Sequence, residues 1–205
     1  MEFAKVVENR ASIRKFSSEE VNIEDIKEIV KLAGKSPSPN NSQPWKFVII
    51  KNKEKINDIA EIVHKKIDTL FPQDVENVKS IVERFSTFFT DAPILVAVLS
   101  TDYSAVVDKI LPQNEITHEE LNAMRNYPDI QSIGGAIQTF LLAAVDKGLG
   151  ACWLSGLLVA KKEIEDYLNI EKGSQLTACI AVGKQSGEAN QNEKKDLQEI
   201  LEIIE

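Results

Sequence analysis

The sequence has few of the residues that build metal centres or disulfide frameworks. Among 205 residues there are two cysteines, Cys152 and Cys179, and two histidines, His64 and His118. Each cysteine lies in an apolar segment with no second thiol or histidine at metal-ligand spacing. We expect buried free thiols and no metal site, and surface or capping roles for the isolated histidines.

Long apolar runs are also missing. No stretch approaches the roughly 20 apolar residues that cross a bilayer, and no basic start precedes an apolar run as in a signal peptide. The formal net charge of -8 would repel nucleic acid and anionic membrane surfaces. These properties predict a cytoplasmic protein with neither a nucleic-acid nor a membrane partner.

Several nucleotide and hydrolase motifs are absent. The chain has no Gly-x-x-x-x-Gly-Lys-Ser/Thr loop, no Gly-x-Gly-x-x-Gly after a strand and no Gly-x-Ser-x-Gly elbow. These absences argue against a nucleotide hydrolase and an esterase. They also predict that nicotinamide, if used, is not bound by a dinucleotide fold.

The composition and the apolar periodicity are those of a globular protein. The hydrophobic fraction of 43% and the length predict one domain over residues 1–205. Strands are predicted at 47–50, 94–99 and 176–182, the second of them buried on both faces. Helices are predicted at the amino terminus and at 23–33, 53–67, 74–89, 130–147 and 161–168. The helix at 74–89 should point Val78, Ile81, Val82 and Phe85 inward.

Two segments do not fit this regular pattern. Residues 101–128 are predicted to be an irregular insertion with a helix around 118–125. Residues 183–205 form a polar arm that ends in an apolar stripe of Leu197, Ile200, Leu201 and Ile204. The stripe must be buried, either against a partner subunit or back on its own domain, and the sequence leaves both open.

The segment 10–16 alternates polar and apolar residues. An extended backbone would place Arg10, Ser12 and Arg14 on one side, where two guanidinium groups and a hydroxyl suit a phosphate. Two solvent-exposed arginines after a helix would give the same pattern.

A second polar segment, 36–45, reads Ser-Pro-Ser-Pro-Asn-Asn-Ser-Gln-Pro-Trp. Its prolines make it stiff, and its amide side chains offer donors and acceptors that match the edge of a heterocycle. The alternative is a capped turn whose side chains satisfy their own backbone.

Together these segments resemble the nitroreductase family of proteins that bind flavin mononucleotide (FMN). Members carry Arg-x-Ser-x-Arg and, about 25 residues later, Pro-Ser-x-x-Asn-x-Gln-Pro-Trp, matched here from Pro37 to Trp45. Ala92-Pro93 before a strand and Gly-Leu-Gly-x-Cys-Trp, starting at Gly148, extend the resemblance. It implies an α/β three-layer sandwich with a mixed central sheet, helices on both faces and an exchanged carboxy-terminal arm.

The resemblance also implies the site residues. The FMN phosphate would be held by Arg10 and Ser12, with Lys194 as the candidate from the arm, although Lys195 is adjacent and the proline that members have two residues later is missing. Arg14 would lie near flavin N1 and O2, and Ser155 and Gly156 near N5 and O4. Pro37, Ser38 and Asn41 would reach the flavin from the other subunit of a homodimer, and Gln43 of the same segment would also be a cofactor-binding residue.

The implied activity is ping-pong oxidation of NAD(P)H, with hydride passing through flavin N5 to a small-molecule acceptor such as a nitroaromatic or a quinone. The side chains position and tune the flavin, so no proton-transferring residue is nominated. Dehalogenases and an oxygen-dependent flavin-cleaving enzyme resemble the same family, and a non-enzymatic FMN carrier is a further alternative. The insertion at 101–128 matches no motif, so the acceptor stays open.

Overall fold

Helices and strands are described here from a computed structural model that covers residues 2–73, 77–103, 116–189 and 191–205. The strands are β1 (Trp45–Ile50), β2 (Ile94–Ser100), β3 (Gly150–Leu154) and β4 (Gln175–Gly183). The helices are α1 (Phe3–Asn9), α2 (Ile23–Ala33), α3 (Lys53–Leu70), α4 (Val78–Thr87), α5 (His118–Met124), α6 (Pro128–Asp146), α7 (Lys161–Tyr167) and α8 (Leu197–Ile200).

Side-chain caps define several helix starts. The side-chain oxygen of Asn22 accepts a 3.0 Å hydrogen bond from the backbone N–H of Glu24, and so caps α2 as its sequence predicts. Thr117 forms a reciprocal capping box with Glu120 at the start of α5. This confirms the helix expected within the insertion, whereas residues 104–115 lie outside the described part of the chain.

The four strands form one sheet in the order β1-β2-β4-β3. Both faces of its centre are buried, because Ile94, Val96 and Val98 pack with α2 and α6. The alternate residues Leu95 and Ala97 pack with α3 and α7 on the other face. The expected three-layer sandwich with helices on both faces is therefore confirmed.

The pairing within the sheet differs from the mixed sheet that the resemblance implies. All ladders between the described strands are antiparallel. A single isolated bridge between Ser12 and Ala151 supplies the parallel pairing. The segment before α2 runs along the free edge of β3 for only one residue pair, so it adds no full parallel strand.

The prediction that α4 points its apolar residues inward is wrong for most of them. Val78, Ile81 and Phe85 are about half exposed, whereas Ser86 and Thr87 are buried. Ser86 lies where α4 comes so close to Gly156 that a Cβ atom on this glycine would meet the Ser86 hydroxyl oxygen at 2.8 Å. Periodicity located an apolar stripe but could not show which side of the helix meets the core.

The carboxy-terminal arm does not fold back on its own core. Leu197, Ile200 and Ile204 are 66%, 67% and 91% exposed in the single chain. The sequence left open whether the stripe is buried on its own domain or against a partner subunit. In the described chain it is not buried on its own domain.

Candidate functional site

The segment 10–16 is attached to the edge of the sheet. The backbone N–H of Ile13 donates a 3.0 Å hydrogen bond to the carbonyl oxygen of Ala151 in β3. Ala11 and Ile13 are buried, whereas Ser12 and Arg14 are exposed. The alternation that the sequence predicts is therefore present, and the polar side chains face away from the core.

These polar side chains line an open cavity of about 450 Å³, here called the basic cavity. Arg10, Ser12 and Arg14 contribute from one side and Lys194 from the arm. The three cations and the hydroxyl form a donor set that fits an anion with several oxygen atoms, such as a phosphate. The structure thus brings together four of the predicted site residues, including the lysine whose assignment was ambiguous.

Five residues that line the basic cavity were not predicted as site residues: Val7, Glu8, Ala11, Gln191 and Asn192. Val7 and Glu8 end the helix that leads into Arg10, so their closeness to the site follows from chain continuity. Gln191 and Asn192 precede Lys194 in a polar segment that has no regular periodicity. Only their spacing from Lys194 could have indicated them.

The positive charges of the basic cavity influence the pKa of the neighbouring Cys152 thiol. Burial raises the pKa of the Cys152 thiol, while Arg14, the Ser12 hydroxyl and Arg10 act in the opposite direction. These opposing influences place the thiol at the boundary between the core and the cations. Cys179, on the neighbouring strand, is buried away from them, and burial raises its pKa to about 12.

Close packing at Gly150 holds the segment 10–16 against β3. A Cβ atom built on Gly150 would lie 2.9 Å from both γ-carbon atoms of Ile13. Real Cβ atoms do not approach other carbon atoms this closely, so the absence of a side chain at this position lets Ile13 pack on β3. Gly148, with a φ of 72°, ends α6 just before this contact.

Ser155 and Gly156 follow β3 directly, and Gly156 begins a 3₁₀ turn that ends at Ala160. Ser155 is exposed and Gly156 is partly buried. A Cβ atom on Gly156 would lie 2.8 Å from the hydroxyl oxygen of Ser86 in α4. The absence of a side chain at Gly156 therefore lets the turn pack closely against α4.

The second predicted segment, residues 36–45, is here called the asparagine loop. Asn40, Asn41 and Gln43 adopt left-handed φ angles of 54°, 54° and 48°. The hydroxyl oxygen of Ser38 accepts a 2.9 Å hydrogen bond from the backbone N–H of Gln43 and so closes the loop. Left-handed backbone costs energy at residues other than glycine, least at asparagine, so this loop holds a defined and partly strained shape.

The asparagine loop is also held from outside. The hydroxyl groups of Ser36 and Thr139 share a 2.9 Å hydrogen bond, which ties the loop to α6. The backbone N–H of Thr101 donates to the carbonyl oxygen of Pro44 at 3.2 Å. The alternative interpretation was a turn whose side chains hydrogen bond to their own backbone. This is correct for Ser38, whereas the side chain of Asn41 is exposed.

The asparagine loop and the basic cavity lie at opposite corners of the sheet. The loop enters β1, which forms one edge, and the segment of Ser12 lies beyond β3 at the other edge. Four strand spacings of about 4.8 Å separate them, or about 19 Å across the sheet. The loop precedes Trp45, whereas Ala151 lies level with the far end of β1, beyond Ile50. The sheet thus keeps the two predicted halves of the site apart within one chain.

Neither a metal centre nor a membrane-spanning helix is found in the part of the chain that the structure describes. Within the described ranges, no three acidic, histidine or cysteine side chains are grouped so as to hold a metal ion. None of the helices in that same part of the chain has both the length and the apolar character to cross a membrane.

Relatives of this chain are named for two different activities, nitroreduction and deiodination. YfhC of Bacillus subtilis (strain 168), provisionally named an NAD(P)H nitroreductase, is 24% identical over 182 residues, which are 87% of this chain and 81% of that protein. An iodotyrosine deiodinase of Hydra vulgaris is 33% identical over 105 residues, 48% of this chain. The match spans only 39% of the deiodinase.

Solved structures share the whole fold. A BluB-like flavoprotein from Clostridium difficile 630 has a TM-score of 0.89 and 31% identity, and the match covers all of both chains. A nitroreductase with bound FMN from Bacteroides fragilis NCTC 9343 has a TM-score of 0.74 over all of both chains. At 18% identity, that second likeness concerns the fold alone. The model of the nitroreductase family matches residues 7–184, and the chain therefore belongs to the nitroreductase family.

Proposed function

We propose that the protein is an FMN-dependent oxidoreductase that takes hydride from NAD(P)H and passes it to a nitroaromatic, a quinone or a similar small acceptor in a ping-pong reaction. The observation that carries this proposal is the convergence of Arg10, Ser12, Arg14 and Lys194 on one cavity. The likeness to the Clostridium difficile flavoprotein supports the flavin, and the name of the Bacillus subtilis relative supports the nicotinamide donor. FMN, when bound, supplies the reversible uptake of two electrons.

The phosphate of FMN fits the basic cavity in charge and in donor chemistry. Arg10 and Lys194 supply positive charge from two different segments, and the Ser12 hydroxyl supplies a further donor. Charge-assisted hydrogen bonds of this kind are stronger than neutral ones and define the direction of a phosphate. These three residues would therefore hold the phosphate end.

Arg14 has a different role in the proposal. Its guanidinium lines the cavity on the same side of the segment as the Ser12 hydroxyl, and both influence the pKa of the Cys152 thiol. A fixed cation at the N1 and O2 edge of the flavin would stabilise the negative charge that reduction places there. The backbone amides at Ser155 and Gly156 would face N5 and O4. These two residues directly follow β3, the strand that contains Cys152.

The asparagine loop would complete the site from a second copy of the chain. Pro37, Ser38, Asn41 and Gln43 lie at the corner of the sheet opposite the basic cavity, so their contact with the same flavin requires a partner subunit. The Ser38 oxygen already accepts one hydrogen bond, which leaves its hydrogen free to donate to a ligand. A homodimer with two equivalent sites follows from this arrangement.

The test is reconstitution followed by reduction. The purified full-length protein is incubated with FMN, desalted, and mixed anaerobically with NADH or NADPH in a stopped-flow instrument. The expected result is a yellow protein that is bleached by at least one of the two donors and re-oxidised by a nitroaromatic or a quinone. A protein that stays colourless after incubation with FMN would refute the proposal, and a flavin that stays oxidised would indicate a carrier.

Substitution variants locate the site. We expect Arg10→Met to weaken FMN binding about tenfold or more, because a charged hydrogen bond to phosphate is worth about 1.5–3 kcal/mol. Lys15→Met is the matched control. The substitution also removes one positive charge, next to Arg14, but Lys15 does not line the cavity. Equal losses in both variants would indicate a general charge effect instead of a site.

A second candidate function is reductive dehalogenation of a halogenated tyrosine, favoured by the match to the Hydra vulgaris deiodinase. The same reduced protein distinguishes the two. Re-oxidation by iodotyrosine with release of iodide, but not by nitroaromatics or quinones, would replace the first candidate. Oxygen-dependent loss of the flavin absorbance itself would indicate a flavin-cleaving activity.

A further inference from the structure

The arm is attached to α1 by one side-chain hydrogen bond. The Nε2 atom of Gln191 donates to the carbonyl oxygen of Glu8 at 2.9 Å. Glu8 lies in the last turn of α1, where backbone carbonyl groups have no partner within the helix. Gln191 therefore satisfies a free acceptor at the helix end and fixes the arm there.

This attachment lies three residues before Lys194. Gln191, Asn192 and Lys194 all line the basic cavity, yet every described residue of the arm after position 190 is exposed. Burial therefore does little to hold this part of the arm within one chain. The position of the Lys194 ammonium group depends on where the backbone of the arm is attached.

We propose that Gln191 is a positioning residue that holds the arm against the end of α1 and thereby keeps Lys194 at the basic cavity that Arg10 also lines. The proposal rests on the proposed function, because in it Lys194 contacts the phosphate group of bound FMN. Gln191 itself acts through Lys194. Without the attachment, the lysine would lose conformational entropy each time a phosphate binds, and the affinity would fall.

The effect should depend on the phosphate. FMN and riboflavin differ only in this group, so Gln191→Met should weaken FMN binding about fivefold, the value of an ordinary hydrogen bond, and leave riboflavin binding unchanged. Methionine keeps the length of the side chain and removes the donor. Fluorescence titration of the flavin-free protein measures both dissociation constants.

Gln185→Met is the matched control, because the Gln185 amide donates to Gly187 within the arm and does not line the cavity. It should leave both affinities unchanged. In a Lys194→Met background, Gln191→Met should have no further effect on FMN, because both residues act on one contact. Equal losses of FMN and riboflavin, or additive losses in the double variant, would overturn the positioning role.

A flavin-free measurement separates this inference from the proposed function. Trypsin cleavage after Lys194 or Lys195, followed by mass spectrometry, reports how firmly the arm is attached. Gln191→Met should be cleaved severalfold faster than the wild type and Gln185→Met at the wild-type rate. Unchanged cleavage would refute the attachment even in a protein that binds FMN, and faster cleavage in a protein that binds no flavin would refute only the role in flavin binding.

Discussion

The backbone N–H of Ile13 hydrogen bonds to the carbonyl oxygen of Ala151 at 3.0 Å, and this contact joins the first polar segment to the edge of the sheet. It fixes the register of the segment, because a shift by one residue would turn Ser12 and Arg14 toward the core. The glycine at position 150 permits the contact, since it leaves room for the Ile13 side chain. The orientation of the basic cavity thus depends on packing at one glycine.

We expect Gly150→Ala to destabilise the fold and to weaken FMN binding. The new methyl group would lie 2.9 Å from the Ile13 γ-carbon atoms, and overpacking of this kind costs about 1–3 kcal/mol. Urea unfolding measures the loss. Gly34→Ala is the control, because its Cβ would meet its nearest neighbour at 3.4 Å, an ordinary contact. Unchanged stability in Gly150→Ala would show that the Ile13 side chain can repack without loss of stability.

Two serines of the asparagine loop should respond in opposite ways to removal of the hydroxyl. Ser38→Ala leaves the backbone N–H of Gln43 without its acceptor and should cost about 1 kcal/mol. The Ser42 hydroxyl is buried and has no hydrogen-bond partner among the described residues, so Ser42→Ala should be neutral or slightly stabilising. Thermal unfolding of the two variants side by side checks the contrast. Similar losses in both would mean that the Ser38 bond contributes nothing specific.

The sequence predicted the elements well where apolar periodicity and capping agree. Asn22 marks the start of α2, and the unbroken run at 94–99 corresponds to β2, buried on both faces. Local residue types are sufficient for these elements because helix and strand periods differ. The helix α4 shows the limit, since the face it buries depends on the close approach of Ser86 to Gly156, which are 70 positions apart in the chain.

The candidate site was predictable only in part for a similar reason. The alternation from Arg10 to Arg14 is local, and it predicts which side chains share a side. The place of Lys194 is not local, because the arm reaches the basic cavity through the contact of Gln191 with Glu8. No periodicity or composition signal specifies a hydrogen bond between positions so far apart.

The buried thiol of Cys179 predicts a loss of stability in alkali. Its folded pKa is raised to about 12 from an ordinary value of 9.0, so the unfolded chain loses the proton first. The stabilising contribution is complete below pH 9 and falls between pH 9 and 12, by about 1.4 kcal/mol at pH 10. The free energy of unfolding should therefore fall more between pH 8 and pH 10 in the wild type than in Cys179→Ala. Equal decreases would show that this thiol does not titrate as its burial indicates.

The exposed stripe of the arm predicts that one substitution will separate subunits without unfolding them. Ile200 is 67% exposed in the single chain, so Ile200→Asp should leave the circular dichroism spectrum of the fold intact. In the proposed dimer the same side chain is buried against the partner, and about 2 kcal/mol of apolar burial would be lost per subunit.

Because both subunits carry the substitution, about 4 kcal/mol is lost per dimer, and the dimer dissociation constant should rise by about three orders of magnitude, measured by light scattering across a concentration series. FMN should be lost together with the dimer, because the asparagine loop of the partner would no longer reach the basic cavity. Gln198→Asp adds the same charge to α8 at a polar position and serves as the control. If Ile200→Asp remains dimeric and keeps its flavin while Gln198→Asp behaves identically, the stripe lies outside the interface and the two halves of the site meet by some other contact.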